Sequence, residues 1–231
     1  MHVLITGSNR GLGLEWTRQL LKRGDNVFAT CRHPDSADQL QALLQDYPQN
    51  LTITALDIGD ESSITAARQA IAKHTDKLDV LINNAGISAG SETLDSLDPD
   101  IFLNQMRVNA LGPTIVVQQF LDLLKNGDNQ RVLNITSSIA SMTNWDRADM
   151  FTYPTSKAAL NMLTRTLCVV LREFDIPIVL IDPGWVKTDM GGPDAWITAD
   201  ESISGMIKIL DSLTIQDTGK FLHYSGSEIP W

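Results

Sequence analysis

The sequence contains little cysteine and no long apolar run. Cys31 and Cys168 are the only cysteines in the 231 residues, and two distant thiols suit neither a disulfide framework nor a metal cluster. The four histidines have no ligand-like spacing, so we expect no metal site. No uninterrupted apolar segment approaches the ~18 residues that cross a bilayer, and no basic region precedes the first apolar run. We therefore expect a cytoplasmic protein with no signal peptide and no membrane contact.

Basic residues are also scarce relative to acidic ones. Lysine and arginine number 18 against 28 aspartates and glutamates, which gives a formal net charge of −10. This balance, without any run of basic residues, argues against a nucleic-acid surface. Hydrophobic residues at 43% and charged residues at 20% are typical of a folded globular chain. Because no linker, repeat or composition shift divides the sequence, we expect residues 1–231 to form one domain.

The sequence does contain a regular alternation of short apolar runs and amphipathic segments. The apolar runs predict seven β-strands, at 3–5, 26–30, 51–55, 80–82, 132–135, 178–181 and 221–223. Apolar residues at helical spacing predict helices at about 11–23, 36–46, 61–74, 99–125, 152–173 and 200–213. Strands that alternate with helices indicate an α/β fold. We predict a single Rossmann-like, doubly wound domain with a seven-stranded parallel sheet flanked by helices.

A glycine-rich turn lies between the first predicted strand and the first helix. It reads Thr6-Gly7-Ser8-Asn9-Arg10-Gly11-Leu12-Gly13. Glycines in such a turn let the backbone bend tightly and approach a pyrophosphate, while the amides at the helix N-terminus face the anion. The spacing Gly-x-x-x-Gly-x-Gly differs from the commonest dinucleotide fingerprint. Its place between a strand and a helix nevertheless predicts a nucleotide site; an ordinary glycine-rich turn is the alternative.

Tyr153 and Lys157 form a second informative pattern. Four residues apart on a predicted helix, they share one face, so the lysine charge can act on the phenol. An unperturbed tyrosine has a pKa of ~10, and a nearby cation favours its phenolate form. Ser137 and Ser138 follow the fifth predicted strand, upstream of this pair. A phenol, an ammonium group and a hydroxyl together suit proton transfer to an oxygen on which negative charge develops.

Together, these motifs resemble a known family. In chain order they are Thr6-Gly7-x-x-x-Gly11-x-Gly13, Asn83-Asn84-Ala85-Gly86, Asn109, Ser138, Tyr153-x-x-x-Lys157 and Pro183-Gly184. Their order and approximate spacing resemble those of the short-chain dehydrogenase/reductase family, single-domain type, over essentially the whole chain. The opening turn, the stretch Thr30-Cys31-Arg32 and the ending at 225–231 look like the branch that contains the sniffer carbonyl reductases and the bacterial C-factor proteins.

The resemblance implies a role for each of four catalytic candidates, namely Asn109, Ser138, Tyr153 and Lys157. Tyr153 would donate a proton as general acid, and Ser138 would stabilise the charge on the substrate oxygen. Lys157 would tune the phenol and hold the nicotinamide ribose. Asn109 would bind a water that links the lysine to bulk solvent, unless it is an ordinary helix-surface asparagine.

The choice of serine also comes from the resemblance. The family motif selects the second serine of the pair, Ser138, which makes Ser137 structural and leaves Ser141 as a poor third choice. The interval from Ser138 to Tyr153 is two residues longer than is usual in the family. This weakens the exact assignment of Ser138 without removing it.

The choice of cofactor can be argued from charge. NAD-specific sites place a carboxylate at the end of the second strand, where it binds the ribose 2′-hydroxyl, but this sequence has Cys31-Arg32 there. Arg10 and Arg32 can instead bind a 2′-phosphate, as similar arginines do in relatives that prefer NADPH. We therefore expect NADP(H) to be preferred over NAD(H). The alternative is that both arginines are solvated surface residues.

The resemblance also implies the remaining cofactor contacts. Asp57 and Ile58 would hold the adenine, although Asp57 can alternatively cap the helix near residue 61. Asn84 and its neighbours would run along the ribose, unless the asparagine only closes a turn. The predicted cofactor contacts are Gly7, Ser8, Asn9, Arg10, Gly11, Leu12, Gly13, Arg32, Asp57, Ile58, Asn84, Ala85, Gly86, Tyr153, Lys157, Pro183, Gly184, Val186 and Thr188.

The predicted function is NADPH-dependent reduction of aldehydes or ketones to alcohols. Little chain lies between Thr188 and the helix near residue 200, so we expect an open site for small or varied carbonyl compounds. Met142, Trp145, Trp185, Met190 and Trp196 flank the chemistry in sequence and are candidates for its walls; for each of them, ordinary packing is the favoured alternative. Two alternatives stay open: a nucleotide-binding signalling protein of C-factor type, and an NAD-linked alcohol dehydrogenase. The family also implies a homodimer or homotetramer, formed through the helices at 99–125 and 152–173.

Overall fold

A parallel β-sheet forms the centre of the protein. The computed structural model describes residues 1–143 and 145–231. The strands are β1 (His2–Thr6), β2 (Asn26–Cys31), β3 (Leu51–Ala55), β4 (Val80–Asn83), β5 (Arg131–Ile135), β6 (Ile178–Asp182) and β7 (Phe221–His223). They lie in the order β3-β2-β1-β4-β5-β6-β7, and every neighbouring pair is parallel. The predicted seven-stranded α/β fold is therefore confirmed.

Helices cover both faces of the sheet. They are α1 (Gly11–Arg23), α2 (Asp38–Asp46), α3 (Glu61–Ile71), α4 (Pro99–Met106), α5 (Gly112–Lys125), α6 (Thr152–Arg172) and α7 (Ala199–Ser212). Apart from α4 and α5, each ends within a few residues of its predicted bounds. Within the residues described, none of these helices combines the length and apolarity needed to span a bilayer.

The helical segment predicted at 99–125 forms, but it is not one regular α-helix. A π-helical turn, Arg107–Leu111, separates α4 from α5. Pro113 explains part of this break, because it has no amide hydrogen to donate to the carbonyl of Asn109, four residues earlier. Gly112 packs so closely that a Cβ there would lie 2.4 Å from the carbonyl oxygen of Ile58. The break places Asn109 in a widened turn, and such turns often occur at functional sites.

The hydrophobic core has two layers, because successive residues of a strand point to opposite faces of the sheet. Val3 and Ile5 of β1 belong to a cluster with side chains of α1, α2 and α7, whereas Leu4 belongs to a cluster with α3, α5 and α6. All three side chains are fully buried. A sheet covered on both faces needs continuous apolar runs rather than alternation, which is what the strands contain.

The carboxyl ends of the strands meet at one edge of the sheet. The chain order reverses there between β1 and β4, and open α/β sheets bind ligands in the crevice at such a point. The hydroxyl of Thr6, at the end of β1, accepts the amide hydrogens of Asn84 at 3.0 Å and Ala85 at 3.1 Å. These bonds join the segment after β4 to the start of the glycine-rich turn.

Gly13→Ala tests how tightly α1 packs against this edge. A Cβ on Gly13 would lie 2.0 Å from the Gly7 carbonyl oxygen and 2.6 Å from Asn84 Nδ2. We expect the substitution to lower the free energy of unfolding by about 1–3 kcal/mol, the usual cost of overpacking, as measured by urea denaturation. Gly59→Ala is the control, because its Cβ would come no closer than 3.2 Å to a neighbouring atom. Equal losses in the two variants would contradict the argument.

Candidate active site

The glycine-rich turn forms a cradle at the N-terminus of α1. Gly7 and Gly11 have φ angles of +72° and +54°, a left-handed conformation that favours glycine. A Cβ on Gly7 would lie 2.9 Å from the Cα of Ala85, so the turn also needs glycine for space. Helix α1 has no side-chain cap at Arg10 and no acidic residue in its first turn. Its first amides can therefore face an anion, and the cradle fits the pyrophosphate of a dinucleotide.

Two polar side chains of the predicted cofactor set support this cradle from behind. Asn84 Nδ2 donates to the carbonyl oxygens of Thr6 at 2.9 Å and Gly7 at 3.2 Å. Ser8 is buried, and its hydroxyl donates to the carbonyl oxygen of Ile5 at 3.1 Å. Turn closure, the alternative role considered for Asn84, is therefore what its side chain does. The cofactor contacts of both residues stay predictions.

The two arginines predicted to bind a 2′-phosphate are exposed. Arg32 directly follows β2, and the nearby Asp35 lies in a separate 3-10 turn, Pro34–Ser36. Arg10 donates to the carboxylate of Asp189 at 2.8 Å, with both side chains largely in solvent. Exposed ion pairs of this kind contribute little. Arg10 can therefore exchange Asp189 for a phosphate at small cost.

Asp57 and Ile58 follow β3, near the end of β2. The Asp57 carboxylate accepts the amide hydrogen of Gly59 at 2.9 Å. The alternative prediction that Asp57 caps the next helix is wrong, because Asp60 is the N-cap of α3 and accepts from the amide of Ser62. An N-cap residue directly precedes the first helical residue, and Asp57 lies too early. The adenine contact of Asp57 and Ile58 stays a prediction.

Tyr153 and Lys157 lie one turn apart near the start of α6. Nζ of Lys157 lies 5.8 Å from the centre of the Tyr153 ring and donates to the carbonyl oxygen of Ile135 at 2.9 Å. Ile135 is the last residue of β5. A Cβ on Gly86 would lie 3.4 Å from the same Nζ. The pair is therefore held against the ends of β4 and β5.

Burial changes the acid strength of both groups. It lowers the pKa of Lys157 to about 8, because little solvent reaches the ammonium charge. Burial raises the pKa of Tyr153 to about 12, and the negative charge of Asp182 adds to that rise. The expected lowering of the Tyr153 pKa by Lys157 is thus outweighed in this structure. At neutral pH the phenol keeps its proton and Lys157 is mostly charged.

Asn109 ties the segment after β4 to the start of α6. It is buried in the π-helical turn, so it is not the helix-surface asparagine of the alternative prediction. Its Oδ1 accepts the amide hydrogen of Ile87 at 2.8 Å, and its Nδ2 donates to the Ile87 carbonyl at 2.8 Å and to Ser156 Oγ at 2.9 Å. The Ser156 hydroxyl donates in turn to the carbonyl of Tyr153 at 2.7 Å. The water relay to Lys157 stays a prediction.

The three candidate serines have different environments. Ser137 caps a short 3-10 turn, Ser138–Ala140, by accepting the amide hydrogen of Ile139 at 3.4 Å. Ser141 is buried, and its hydroxyl has no hydrogen-bond partner among the residues described. Ser138 is exposed. Of the three, Ser138 is therefore the serine most accessible to a substrate.

The long interval between Ser138 and Tyr153 ends at a fixed anchor. Thr152, which immediately precedes Tyr153, is buried. The Glu92 carboxylate accepts from the Thr152 amide at 3.2 Å and from its hydroxyl, while Gln105 Nε2 donates to the same hydroxyl at 2.8 Å. These contacts position the first turn of α6 independently of the loop before it. Sequence reasoning missed Glu92 and Gln105, because no local spacing marks either residue.

Sequence reasoning also missed Asp182, a buried carboxylate at the end of β6. Burial raises the pKa of this carboxyl group, and its neighbours, chiefly the Ser138 amide and then His223, oppose that rise. His223 Nε2 lies 4.0 Å from Asp182 Oδ2. The feature of the sequence that could have pointed to Asp182 is a single acidic residue at the end of an apolar run, directly before Pro183.

The segment after β6 packs against other segments at the carboxyl edge of the sheet. Gly184 has a φ of +77°, and a Cβ on it would lie 2.7 Å from Ile197 Cδ1. Val186 and Ile197 form a parallel bridge whose hydrogen bonds do not use the Val186 amide. Thr188 lies beside the glycine cradle, since a Cβ on Gly11 would be 3.5 Å from its Cγ2. These positions are compatible with the predicted cofactor contacts of Val186 and Thr188.

Most apolar side chains predicted to wall the substrate site are exposed. Trp185 and Trp196 pack edge to face with ring centres 5.3 Å apart, and Trp185 Nε1 donates to the Gly191 carbonyl at 2.7 Å. Met142 and Met190 are also exposed. Over residues 1–143 and 145–231, no group of three or more histidine, cysteine, aspartate or glutamate side chains could hold a metal ion.

Comparisons with known proteins agree with this geometry. A family model described as short chain dehydrogenase matches residues 1–195. The protein C-signal of Myxococcus xanthus is 41% identical over 157 residues, which are 68% of this chain and 95% of that protein. The structure is similar to the NADPH-bound carbonyl reductase from chicken fatty liver, with a TM-score of 0.93 and 37% identity over 100% of this chain and 98% of that chain.

A second solved structure is as similar in fold. The carbonyl reductase Sniffer of D. melanogaster matches with a TM-score of 0.95 and 30% identity, covering 100% of this chain and 99% of that chain. Both the family resemblance and the predicted α/β architecture are therefore confirmed.

Lys157→Met tests the cost of burying the ammonium group. Because folding lowers the pKa of Lys157 from 10.5 to about 8, the unfolded state binds more protons between these pH values, and stability rises with pH across that window. Below pH 8 the whole cost, on the order of 3 kcal/mol, is present. We expect Lys157→Met to be more stable at pH 7 by about 1–3 kcal/mol and to lose this rise in stability, measured by urea unfolding from pH 7 to 10.

Lys73→Met is the matched control, because Lys73 is an exposed lysine just beyond α3. It should leave both the stability at pH 7 and its pH dependence near those of the parent protein. An unchanged rise in stability above pH 8 in Lys157→Met would show that the buried amine is not its source.

Proposed function

Because this chain belongs to the short-chain dehydrogenase family, we propose that it catalyses the NADPH-dependent reduction of aldehydes or ketones to alcohols. Its class as an oxidoreductase follows from the family. The more specific proposal, carbonyl reduction, rests on one observation. Tyr153 and Lys157 lie at the same edge of the sheet as the exposed Ser138 and the glycine cradle.

We propose NADP(H) as the preferred cofactor. The cradle with its uncapped helix terminus suits the pyrophosphate, and Arg10 and Arg32 suit a 2′-phosphate. The end of β2 lacks the carboxylate that would select NAD. The similar reductase from chicken is described as NADPH bound, which also supports this choice. When bound, NADPH would supply the hydride.

The side chains of this protein would handle the proton and the charge. Tyr153 holds the proton on its hydroxyl oxygen throughout the neutral range, because its pKa is about 12. It gives this proton to the substrate oxygen as charge develops there, and Ser138 donates a hydrogen bond to the same oxygen. Lys157, charged below about pH 8, stabilises the phenolate that remains. Asn109 fixes the turn that carries Tyr153, through Ser156.

Small or varied carbonyl compounds are the proposed substrates. The loop after β6 is tied to itself by the Val186 and Ile197 bridge and by the Gly192 amide, which donates to the Thr188 carbonyl at 2.9 Å. A short, self-bonded loop leaves little chain to fold over a substrate. The exposed tryptophans beside it supply apolar surface to an open entrance.

We also propose that the protein is a homodimer or homotetramer. Apolar side chains are exposed on the elements that the family implies for assembly, namely Leu103, Leu111, Met162, Val169 and Val170. Exposed large apolar side chains on such elements are often buried between subunits. The cytoplasmic location stays a prediction from the sequence.

Tyr153→Phe tests the proton donor. Phenylalanine keeps the ring but carries no proton, so we expect kcat for aldehyde reduction to fall by about 10²–10⁴-fold, as for loss of a general acid. The measurement follows NADPH absorbance with a panel of small aldehydes and ketones. Tyr47→Phe is the control, since Tyr47 directly follows α2 and lies outside the candidate site. Undiminished turnover in Tyr153→Phe would overturn the mechanism.

The similarity to C-signal keeps a second candidate function, a nucleotide-binding signalling protein. The complete set of Asn109, Ser138, Tyr153 and Lys157 favours chemistry over this alternative. Tight NADPH binding without turnover of any carbonyl in the panel would favour signalling. Better affinity for NAD than for NADP would favour the remaining alternative, an NAD-linked alcohol dehydrogenase.

Asp189→Asn tests the role of Arg10 in cofactor choice. The substitution removes the carboxylate that pairs with Arg10 and frees the guanidinium for a 2′-phosphate. We expect the Kd for NADPH to fall about two- to fivefold, in line with the weakness of exposed ion pairs, while the Kd for NADH stays unchanged. Fluorescence titration measures both. Asp194→Asn, an exposed aspartate on the same loop, should change neither, and equal shifts for both nucleotides would contradict the proposal.

A further inference from the structure

Helix α6 carries Tyr153 in its first turn but has no cap of its own. Its N-cap residue, Phe151, makes no side-chain cap, and no acidic residue lies in the first turn. The first amides of a helix have no partner within it. Because Thr152, the first residue of α6, is buried, its amide needs an acceptor from another segment.

Glu92 supplies that acceptor from 60 residues away in the chain. One oxygen of its half-buried carboxylate accepts the Thr152 amide hydrogen at 3.2 Å, and the other accepts the Thr152 hydroxyl hydrogen. Glu92 therefore takes the place of an N-cap side chain for a helix to which it does not belong. The partial positive charge at a helix N-terminus also favours a carboxylate there.

Gln105 of α4 holds the same hydroxyl from another side. It is buried, and its Nε2 donates to Thr152 Oγ1 at 2.8 Å. A threonine hydroxyl has one hydrogen to donate and can also accept. The Thr152 hydroxyl gives its hydrogen to Glu92 and accepts from Gln105, so both bonds can exist at once.

The two partners of this hydroxyl belong to one capped stretch of chain. Directly after Glu92, Thr93 and Ser96 form the capping box of a short 3-10 turn. Asp98 then caps α4, in which Gln105 is the last residue but one. These caps fix the backbone between Glu92 and Gln105, so both side chains reach α6 from a well-defined support.

A second attachment lies on the other side of Tyr153. Asn109 holds Ile87 through the Ile87 amide and carbonyl, and it donates to Ser156 Oγ. The Ser156 hydroxyl donates to the Tyr153 carbonyl at 2.7 Å. Residues 87–92 are therefore attached to the first turn of α6 at both ends, before and after the tyrosine.

We propose that Glu92 is a positioning residue, whose carboxylate caps α6 from outside the helix and, with Gln105, fixes the turn that carries Tyr153. The importance of this turn for catalysis rests on the proposed function. The cap itself does not, because it is made of contacts within the protein.

Amide hydrogen exchange, followed by NMR spectroscopy, measures the cap directly. In Glu92→Leu the Thr152 amide loses its acceptor, so we expect it to exchange on the order of tenfold faster than in the parent protein, relative to amides in the middle of α6. Glu92→Gln keeps one oxygen that can accept and should give an intermediate rate. Unchanged protection of the Thr152 amide in Glu92→Leu would overturn the proposal.

A double-mutant cycle measures the bond to the hydroxyl. Thr152→Val removes the hydroxyl and keeps the shape of the side chain. Combined with Glu92→Leu, it should show a coupling of roughly three- to tenfold in the unfolding equilibrium constant, measured by urea denaturation. Additive effects of the two substitutions would contradict an interaction between the side chains.

NADPH-dependent carbonyl reduction measures the positioning role. Glu92→Leu should lower kcat by roughly 10- to 100-fold, the scale expected for a misplaced catalytic group, with a smaller change in KM and an unchanged Kd for NADPH. Thr152→Val should also lower kcat, and Thr152→Ser, which restores the hydroxyl, should recover most of that loss. An unchanged kcat in folded Glu92→Leu would show that the cap does not position Tyr153.

Glu61→Leu is the matched control. Glu61 also lies in the first turn of a helix, α3, but Asp60 already caps that helix. The substitution should change neither the exchange of the Thr152 amide nor kcat. A parent protein that turns over no carbonyl compound would remove the proposed function, and the exchange and stability measurements would still decide whether Glu92 caps α6.

Discussion

The burial of the Lys157 ammonium group is the constraint on which the rest of the site depends. A charge withdrawn from water needs a partner, and the carbonyl oxygen of Ile135 provides it at 2.9 Å. That bond holds α6 against the end of β5, the strand that leads into Ser138. The bond between Lys157 and Ile135 therefore fixes the position of Tyr153 relative to Ser138, although neither Tyr153 nor Ser138 takes part in it. Such a site gives up stability to keep a cation near the phenol, as is common where function needs a buried charge.

The fold and the cofactor cradle could be predicted because both follow from local rules. Each strand is a short apolar run, and burial on both sides of the sheet makes such runs continuous. The cradle depends on Gly7 and Gly13, which leave room for Ala85 and for the Gly7 carbonyl. Spacing placed Tyr153 and Lys157 on one helical face. The choice of Ser138 over Ser137 needed the family resemblance. In the structure Ser137 caps a 3-10 turn, and the catalytic role of Ser138 stays a prediction.

What could not be predicted depends on contacts between distant segments. The break at Asn109 requires both Pro113 and the close approach of Gly112 to Ile58, and helical spacing carries no sign of the latter. Asp182 looked like the end of a strand, because its partners come from elements far away in sequence. The predicted lowering of the Tyr153 pKa was also wrong. The sequence shows the neighbouring cation, Lys157, but not the burial that raises this pKa.

Glu92 and Gln105 hold Thr152 from outside the loop that connects Ser138 to Tyr153. The length of that loop and the position of Tyr153 are therefore separate properties of the chain. Insertions or deletions between 141 and 151 can therefore alter this loop while α6 still begins at the same place. The two additional residues between Ser138 and Tyr153 in this chain are a change that the loop accommodates without moving Tyr153 from its anchor.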